Sequence, residues 1–329
     1  MRKFFPRLSC QKNLLGVILL GLIASSCSMV RSTGVNIFAD ILSEVAPEIE
    51  KERSWEYFRD SISAQLSLVE SLSSLDRDDE RFLLTIVQGH AGYAFSIWET
   101  LYLHDFLALN DNQSHRNRAM VHYSKSIHYG EVFLKENDLS LEVLIKSKDP
   151  KKLLKDNLDD DEMSQKIILF LAQSIGGMVN LNRDQSLYLT ALPAAKSMFD
   201  WVCELNPGIY GGACPLFYGA YEAGRPKMLG GNPEKGKEIF LKAIEAYPEN
   251  YLIRVGYLQF YVVPRGDEDE FNAQAKIIEE FIAMETKEKY WKPLSKKKEV
   301  SEQTSRLNLF NATAIKRFQI MKQNKEEIF

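Results

Sequence analysis

The sequence is poor in the side chains that chemistry most often draws on. Of its 329 residues only five are histidine and four are cysteine. The histidines stand at 90, 104, 115, 122 and 128; no two have the i,i+4 spacing of a helical zinc pair, and H-E-x-x-H does not occur. A G-x-S-x-G nucleophile turn is missing, as is any cysteine in a nucleophile context. These gaps argue against an enzyme, a metal site or a bound cofactor. Positive charge is not in excess either. Formal net charge is −4, which excludes a broad field for nucleic acid. Strand-like alternation is scarce. The one long apolar run, Leu14 to Ala24, is shorter than the roughly 20 residues a membrane-spanning helix needs.

That run has a different use. It follows a basic stretch, MRKFFPRLSCQKN, and precedes Ser25, Ser26 and Cys27. A basic n-region, a short apolar h-region and small residues ending at cysteine form a lipoprotein signal peptide. The reading is signal peptide 1–26, Cys27 as the lipidated residue, a tether over 27–36 and a helical domain over 37–329. Two or three acyl chains on Cys27 would anchor firmly where one is marginal. Loss of 1–26 lowers Lys and Arg from 41 to 37 against 45 acids, so the mature chain carries −8. Ser28 offers no inner-membrane retention signal, which favours the outer membrane. Of the remaining cysteines, Cys203 and Cys214 could pair in an oxidising envelope or stay as buried thiols.

The stretch GNPEKGKE, residues 231–238, differs by one residue from the phosphate-binding G-x-x-x-x-G-K-[ST]. Its context points elsewhere. Asn232 is a good N-cap and Pro233 suits the first helical position. Gly236, Ile239, Phe240, Ala243, Ile244 and Tyr247 then fall on one face. A helix beginning before Gly236 would tie up the amides a phosphate needs, and Glu238 stands where Ser or Thr would hold magnesium. Small, aromatic, small and proline at 236, 240, 243 and 248 is instead the second-helix pattern of a tetratricopeptide repeat. Ala195, Phe199, Val202 and Pro207 repeat these offsets, and Ala119, Tyr123 and Ser126 repeat the first three. The expected partner of the 233–247 helix is PLFYGAYEAG. The spacing predicts an all-α, irregular tetratricopeptide-like array of about 10–13 helices in one domain. Residues 137–164 read as a short helix inside a charged, solvated excursion, and VSEQTSRLNLFNATAIKRFQIMKQNKEEIF as one amphipathic helix with a stripe of Leu307, Phe310, Ile315, Phe318 and Met321.

Tyrosines concentrate on two of the predicted helices, with an arginine near each: Tyr218 and Tyr221 with Arg225, and Tyr257 and Tyr261 with Arg254. An apolar ligand site lined by these six residues, with arginine fixing a carboxylate, is one reading. Ordinary repeat core is the other.

The order and spacing of SISAQLSLVESLSSLDRDDERFLLTIVQGHAGYAFSIWE, RAMVHYSKSIHYGEVFL, GRPKMLGGNPEKGKEIFLKAIE and LNLFNATAIKRF, behind a lipobox, resemble the T-component (TatT) family of lipoproteins. That family is associated with tripartite ATP-independent periplasmic (TRAP) transporters. The resemblance implies a repeat-like helical fold, a periplasm-facing homotrimer with a pore or cleft in each protomer, and a periplasmic solute-binding protein as partner. It also implies a hydrophobic ligand. The alternative is a repeat-type scaffold lipoprotein for envelope assembly, with no small ligand. On the lipoprotein reading, Cys27→Ala abolishes lipid labelling and moves the protein out of the detergent phase; unchanged partitioning would exclude it.

Overall fold

A computed structural model describes residues 33–183, 185–288 and 301–329. The expected signal peptide, 1–26, and Cys27 lie outside the described residues, and the expected tether enters only at residue 33, where helix α1 (33–50) begins. The chain continues through α2 (Trp55–Ser73) and α3 (Glu80–Tyr93). A π turn, Ala94–Glu99, joins α3 to α4 (Thr100–Leu107) without a break. There follow α5 (Ser114–Glu136), α6 (Leu141–Lys146), α7 (Pro150–Asn157), α8 (Glu162–Leu181), α9 (Ser186–Leu189) and α10 (Leu192–Leu205). After a 3₁₀ turn, Ile209–Gly211, come α11 (Ala213–Gly224), α12 (Pro233–Ala246) and α13 (Tyr251–Tyr257). A second π turn, Leu258–Val262, leads into α14 (Val263–Arg265). The C-terminal part holds α15 (Glu268–Glu288), α16 (Glu302–Ser305), α17 (Asn308–Gln323) and α18 (Lys325–Ile328). The fold is all-α, and no helix among the described residues is long and apolar enough to cross a membrane.

Short polar side chains start these helices where the local sequence calls for them. Ser54, Asp79, Asp149, Asp161 and Asn232 each accept a backbone N–H of the first turn. Asp161, in the acidic run DNLDDDE, therefore serves as a cap. Asn232 accepts from the Lys235 amide at 3.1 Å, and Pro233 occupies the first helical position. The 231–238 stretch is a helix start, with the Lys235 and Gly236 amides engaged by Asn232 at the head of α12.

Helices pack in sequential pairs, as a repeat array requires. α3 lies on α5, α5 on α8 and α8 on α10; farther on, α11 lies on α12, α12 on α13 and α13 on α17. The repeat positions are all buried: Ala119, Tyr123 and Ser126 on α5, Ala195, Phe199 and Val202 on α10, and Gly236, Phe240 and Ala243 on α12. PLFYGAYEAG forms most of α11 and pairs with α12 as expected. The steric logic is visible at the glycines. A β-carbon on Gly219 would stand 2.8 Å from the Phe240 ring, and one on Gly177 would stand 2.3 Å from the Tyr123 ring. The aromatic side chains fill space that glycine leaves open.

Two expectations need correction. Residues 137–164 are not a solvated excursion. α6 and α7 form there, and Leu139, Leu144, Leu154 and Leu158 join the core that holds α8 and α10. Helices of six and eight residues are too short to show a 3.6-residue period among so many charges. Nor is the C-terminal segment one helix. It divides into α16, α17 and α18, and α17 is buried on most of its surface, with Thr313, Ala314 and Arg317 joining Phe318 and Met321.

Cys203, near the end of α10, and Cys214, near the start of α11, are joined by a disulfide. Two large clusters make up most of the interior, one around α8 and α10 and one around α12, α13 and α17. Gly236 is the tightest point of the α11–α12 pair: its β-carbon would meet the Ala223 nitrogen at 2.7 Å and the Gly219 carbonyl at 2.9 Å. Gly→Ala in a helix interior normally gains up to about 1 kcal/mol. Backbone contact reverses the sign here, and Gly236→Ala is expected to lower unfolding free energy by about 2 kcal/mol, read as a lower urea midpoint.

Candidate functional site

A cavity of about 600 Å³ is walled by residues of both large clusters. This volume lies within the ~300–1,000 Å³ range of small-molecule sites. Its wall is mainly apolar, with Phe58, Phe170, Phe217, Phe260, Phe310 and Leu229 among its residues. Gly92 and Gly176 also face it, and no atom lies within 4 Å of the place where either β-carbon would be. A side chain at either position would project into free space, so these glycines leave the cavity wide.

Both π turns stand on this wall. A π turn opens the regular helical ladder and frees carbonyls for other donors. In the first, the Ser96 carbonyl accepts from Trp55 Nε1 at 2.7 Å and the Phe95 carbonyl accepts from Arg317 Nη2 at 2.7 Å. The second comes just before Pro264, whose ring cannot donate to the ladder and crowds the carbonyl four residues earlier. It presents Gln259 and Phe260 to the cavity.

Arg317, on α17, links the two turns. Its side chain is only 2% exposed. Nε donates to Thr100 Oγ1 at 2.9 Å, Nη1 to Gln259 Oε1 at 3.1 Å, and the guanidinium lies 3.9 Å from the Phe95 ring centre. Glu99, also buried, supplies the countercharge at 3.6 Å from Nη2. Tyr123 donates to Glu99 Oε2 at 2.5 Å, and Asn180 donates to Oε1 at 3.3 Å. Burial pulls the Arg317 guanidinium below its ordinary pKa and Glu99 opposes this; an arginine stays charged through such a shift. Burial, together with the Glu99 charge, pushes the Tyr123 hydroxyl well up, so it remains a proton donor. Arg317, Glu99 and Tyr123 all reach the cavity wall, but they chiefly satisfy one another.

A second polar group on the wall is less complete. Glu50, the last residue of α1, accepts from Gln88 at 2.8 Å through Oε1, while Oε2 has no partner. Burial raises its carboxyl pKa. The Tyr210 hydroxyl is buried beside this carboxyl and helps hold its pKa down, although the two form no well-aligned hydrogen bond.

Of the six aromatic and arginine residues the sequence put forward, Tyr221 and Arg225 are on the cavity wall. Arg225 stacks on Tyr221 at 3.7 Å and donates to the carbonyls of Tyr221, Leu229 and Gly230, which fixes the turn between α11 and α12. The other four point away from the cavity. Tyr218 donates to Asp200 at 2.9 Å, Tyr261 donates to Glu234 at 3.1 Å, and Arg254 donates to Gln274. Tyr257 is fully buried in the α12–α13–α17 core. Glu50, Glu99, Tyr210 and Arg317 were not put forward as site residues. Two of them did carry a signal. Glu99 is the only acid in the 23-residue apolar stretch 81–103, and Arg317 shares a helix face with Ala314 and Met321.

The histidines come together more closely than their spacing suggests. His90 Nδ1 and His122 Nδ1 are 3.0 Å apart, and His90 Nε2 meets Glu70 at 3.2 Å. Burial lowers the pKa of both rings, that of His122 to about 4. They share one proton-mediated contact as neutral groups, away from the cavity wall.

Removing one partner from a buried ion pair leaves the other charge without compensation, so Arg317→Ala is expected to lower unfolding free energy by about 3–5 kcal/mol. Arg317→Lys should recover little of it, because one ammonium cannot reach Thr100, Gln259 and the Phe95 carbonyl together. The double variant Arg317→Met/Glu99→Leu should be less destabilised than Arg317→Ala in urea unfolding.

A comparison with curated proteins finds no match. The sequence model of a family described as TRAP transporter T-component matches residues 51–329. That span takes in both π turns, the Arg317 cluster and nearly all of the cavity wall. The chain belongs to the TRAP transporter T-component family.

Proposed function

We propose that the protein is a lipid-anchored, periplasm-facing accessory component of a TRAP-type uptake system, which binds a periplasmic solute-binding protein and holds a hydrophobic organic solute. The observation that carries this reading is the cavity: about 600 Å³, with a mainly apolar wall, inside a family tied to TRAP transport. A transport accessory needs a compartment in which an apolar solute is kept from water while it changes hands. A scaffold with no small ligand needs only a packed core and an open groove. Cavity-facing Gly92 and Gly176 favour the first, since filling them would be simple for a chain with no use for the space.

Exposed apolar side chains next to wall residues support a docking role. Leu229 is on its wall and 50% exposed, and its neighbour Met228 is 89% exposed. Leu187, on α9, is 77% exposed two residues before the wall residue Leu189. A solute-binding protein seated over either segment would cover exposed apolar surface next to the cavity wall. The anchor proposed at Cys27, outer-membrane placement and assembly as a homotrimer complete the reading. No catalytic step is assigned to the protein.

The test is copurification from mildly solubilised envelopes, followed by native mass spectrometry. A solute-binding protein is expected in the eluate, and the T-component at three times its chain mass. Absence of any such protein, where a control complex survives, would leave the scaffold reading in place.

A further inference from the structure

We propose that Glu50 and Tyr210 form a head-group site for a hydroxyl-bearing amphiphile, a long-chain alcohol in chemical class, whose chain lies along the rest of the cavity. The proposal rests on the reading that the cavity holds an apolar solute, and names that solute's polar end. Glu50 Oε2 and the Tyr210 hydroxyl oxygen are buried on the wall of a mainly apolar cavity; the hydroxyl is near enough to act on the carboxyl, but neither atom makes a well-formed hydrogen bond. Glu50 is 6% exposed, and Gln88 occupies its other oxygen. Tyr210 is held in a left-handed conformation at φ 48°, within the turn enclosed by the Cys203–Cys214 disulfide. Strain of this kind persists only where the surroundings impose it, and here it sets the tyrosine facing the cavity.

A single hydroxyl completes both partners. It accepts the Tyr210 proton and donates its own to Glu50 Oε2, so that neither hydroxyl proton is left without an acceptor and Glu50 Oε2 gains a donor. A charged head fits less well. A carboxylate would oppose Glu50, while Arg306, which also lines the wall and lies near Glu50, opposes an ammonium. The Glu50 and Arg306 charges offset each other and favour a neutral head. Phe170, Phe217, Phe310 and Leu229 supply the apolar surface for a chain.

Photolabelling of the intact lipoprotein in membrane vesicles tests this. Three probes carry a diazirine in a sixteen-carbon chain: hexadecanol, hexadecanoate and hexadecane. Peptide mass spectrometry locates the adducts. The alcohol is expected to label cavity-wall peptides, and to do so more strongly than the acid. Glu50→Gln and Tyr210→Phe should each reduce alcohol labelling by about fivefold, the worth of one ordinary hydrogen bond. Hexadecane labelling should be unchanged in both variants, which also reports that they keep the cavity. If the alcohol labels no better than the acid, or if both variants label like the parent, the two groups close on each other or on a water and the proposal falls. In that outcome hexadecane still labels the cavity and the solute reading stands. Labelling of the cavity by none of the three probes would overturn both.

Discussion

A guanidinium buried among apolar helices tolerates few arrangements. Its charge needs a counterion and its N–H groups need acceptors, or the helices around it would separate to admit water. Arg317 meets this demand with acceptors from both π turns and with Glu99 as counterion. The requirement reaches across the chain. α17 lies near the C-terminus, the first π turn lies in the first third, and the second follows α13. One side chain therefore fixes how the last long helix sits against two earlier ones.

The cavity follows from the same arrangement. Where the ladder opens at 94–99 and at 258–262, the helices widen and turn Phe95, Glu99, Gln259 and Phe260 toward a common space. The two large apolar clusters pack tightly on either side; in one the Phe240 ring is seated on Gly219, and in a smaller cluster the Tyr123 ring is seated on Gly177. Close packing within each cluster, with the Arg317 group holding α17 to both π turns, leaves room in the middle. The interior thus holds its shape while enclosing a volume that apolar collapse alone would tend to close.

Local features were legible in the sequence because they depend on neighbours in the chain. The α12 start at Asn232 and Pro233, the pairing of PLFYGAYEAG with α12, and the buried offsets at 119, 195 and 236 all follow from residues within a few turns. Tyr221 and Arg225, put forward for their composition, reach the wall together because Arg225, at the end of α11, stacks on the Tyr221 ring. The rest depends on partners far apart. Glu99 and Arg317 are 218 positions apart, and each looks like an isolated fault in an apolar face until the fold brings them together. Tyr218, Tyr257, Tyr261 and Arg254 share a composition with wall residues, but helix rotation sends them to Asp200, the core, Glu234 and Gln274. The leucines of α6 and α7 were hidden for another reason, since one or two turns among charges carry no readable period.

The Cys203–Cys214 bridge clips together the end of α10 and the start of α11, with the Tyr210 turn between them. Its consequence concerns where the chain can mature. A thiol pair kept reduced would leave that turn to hold an unfavourable backbone angle on its own, so the shape of one cavity wall is linked to the oxidising power of the compartment. The same chain made in a reducing cytosol would own every residue of the site and lack the clamp that presents one of them.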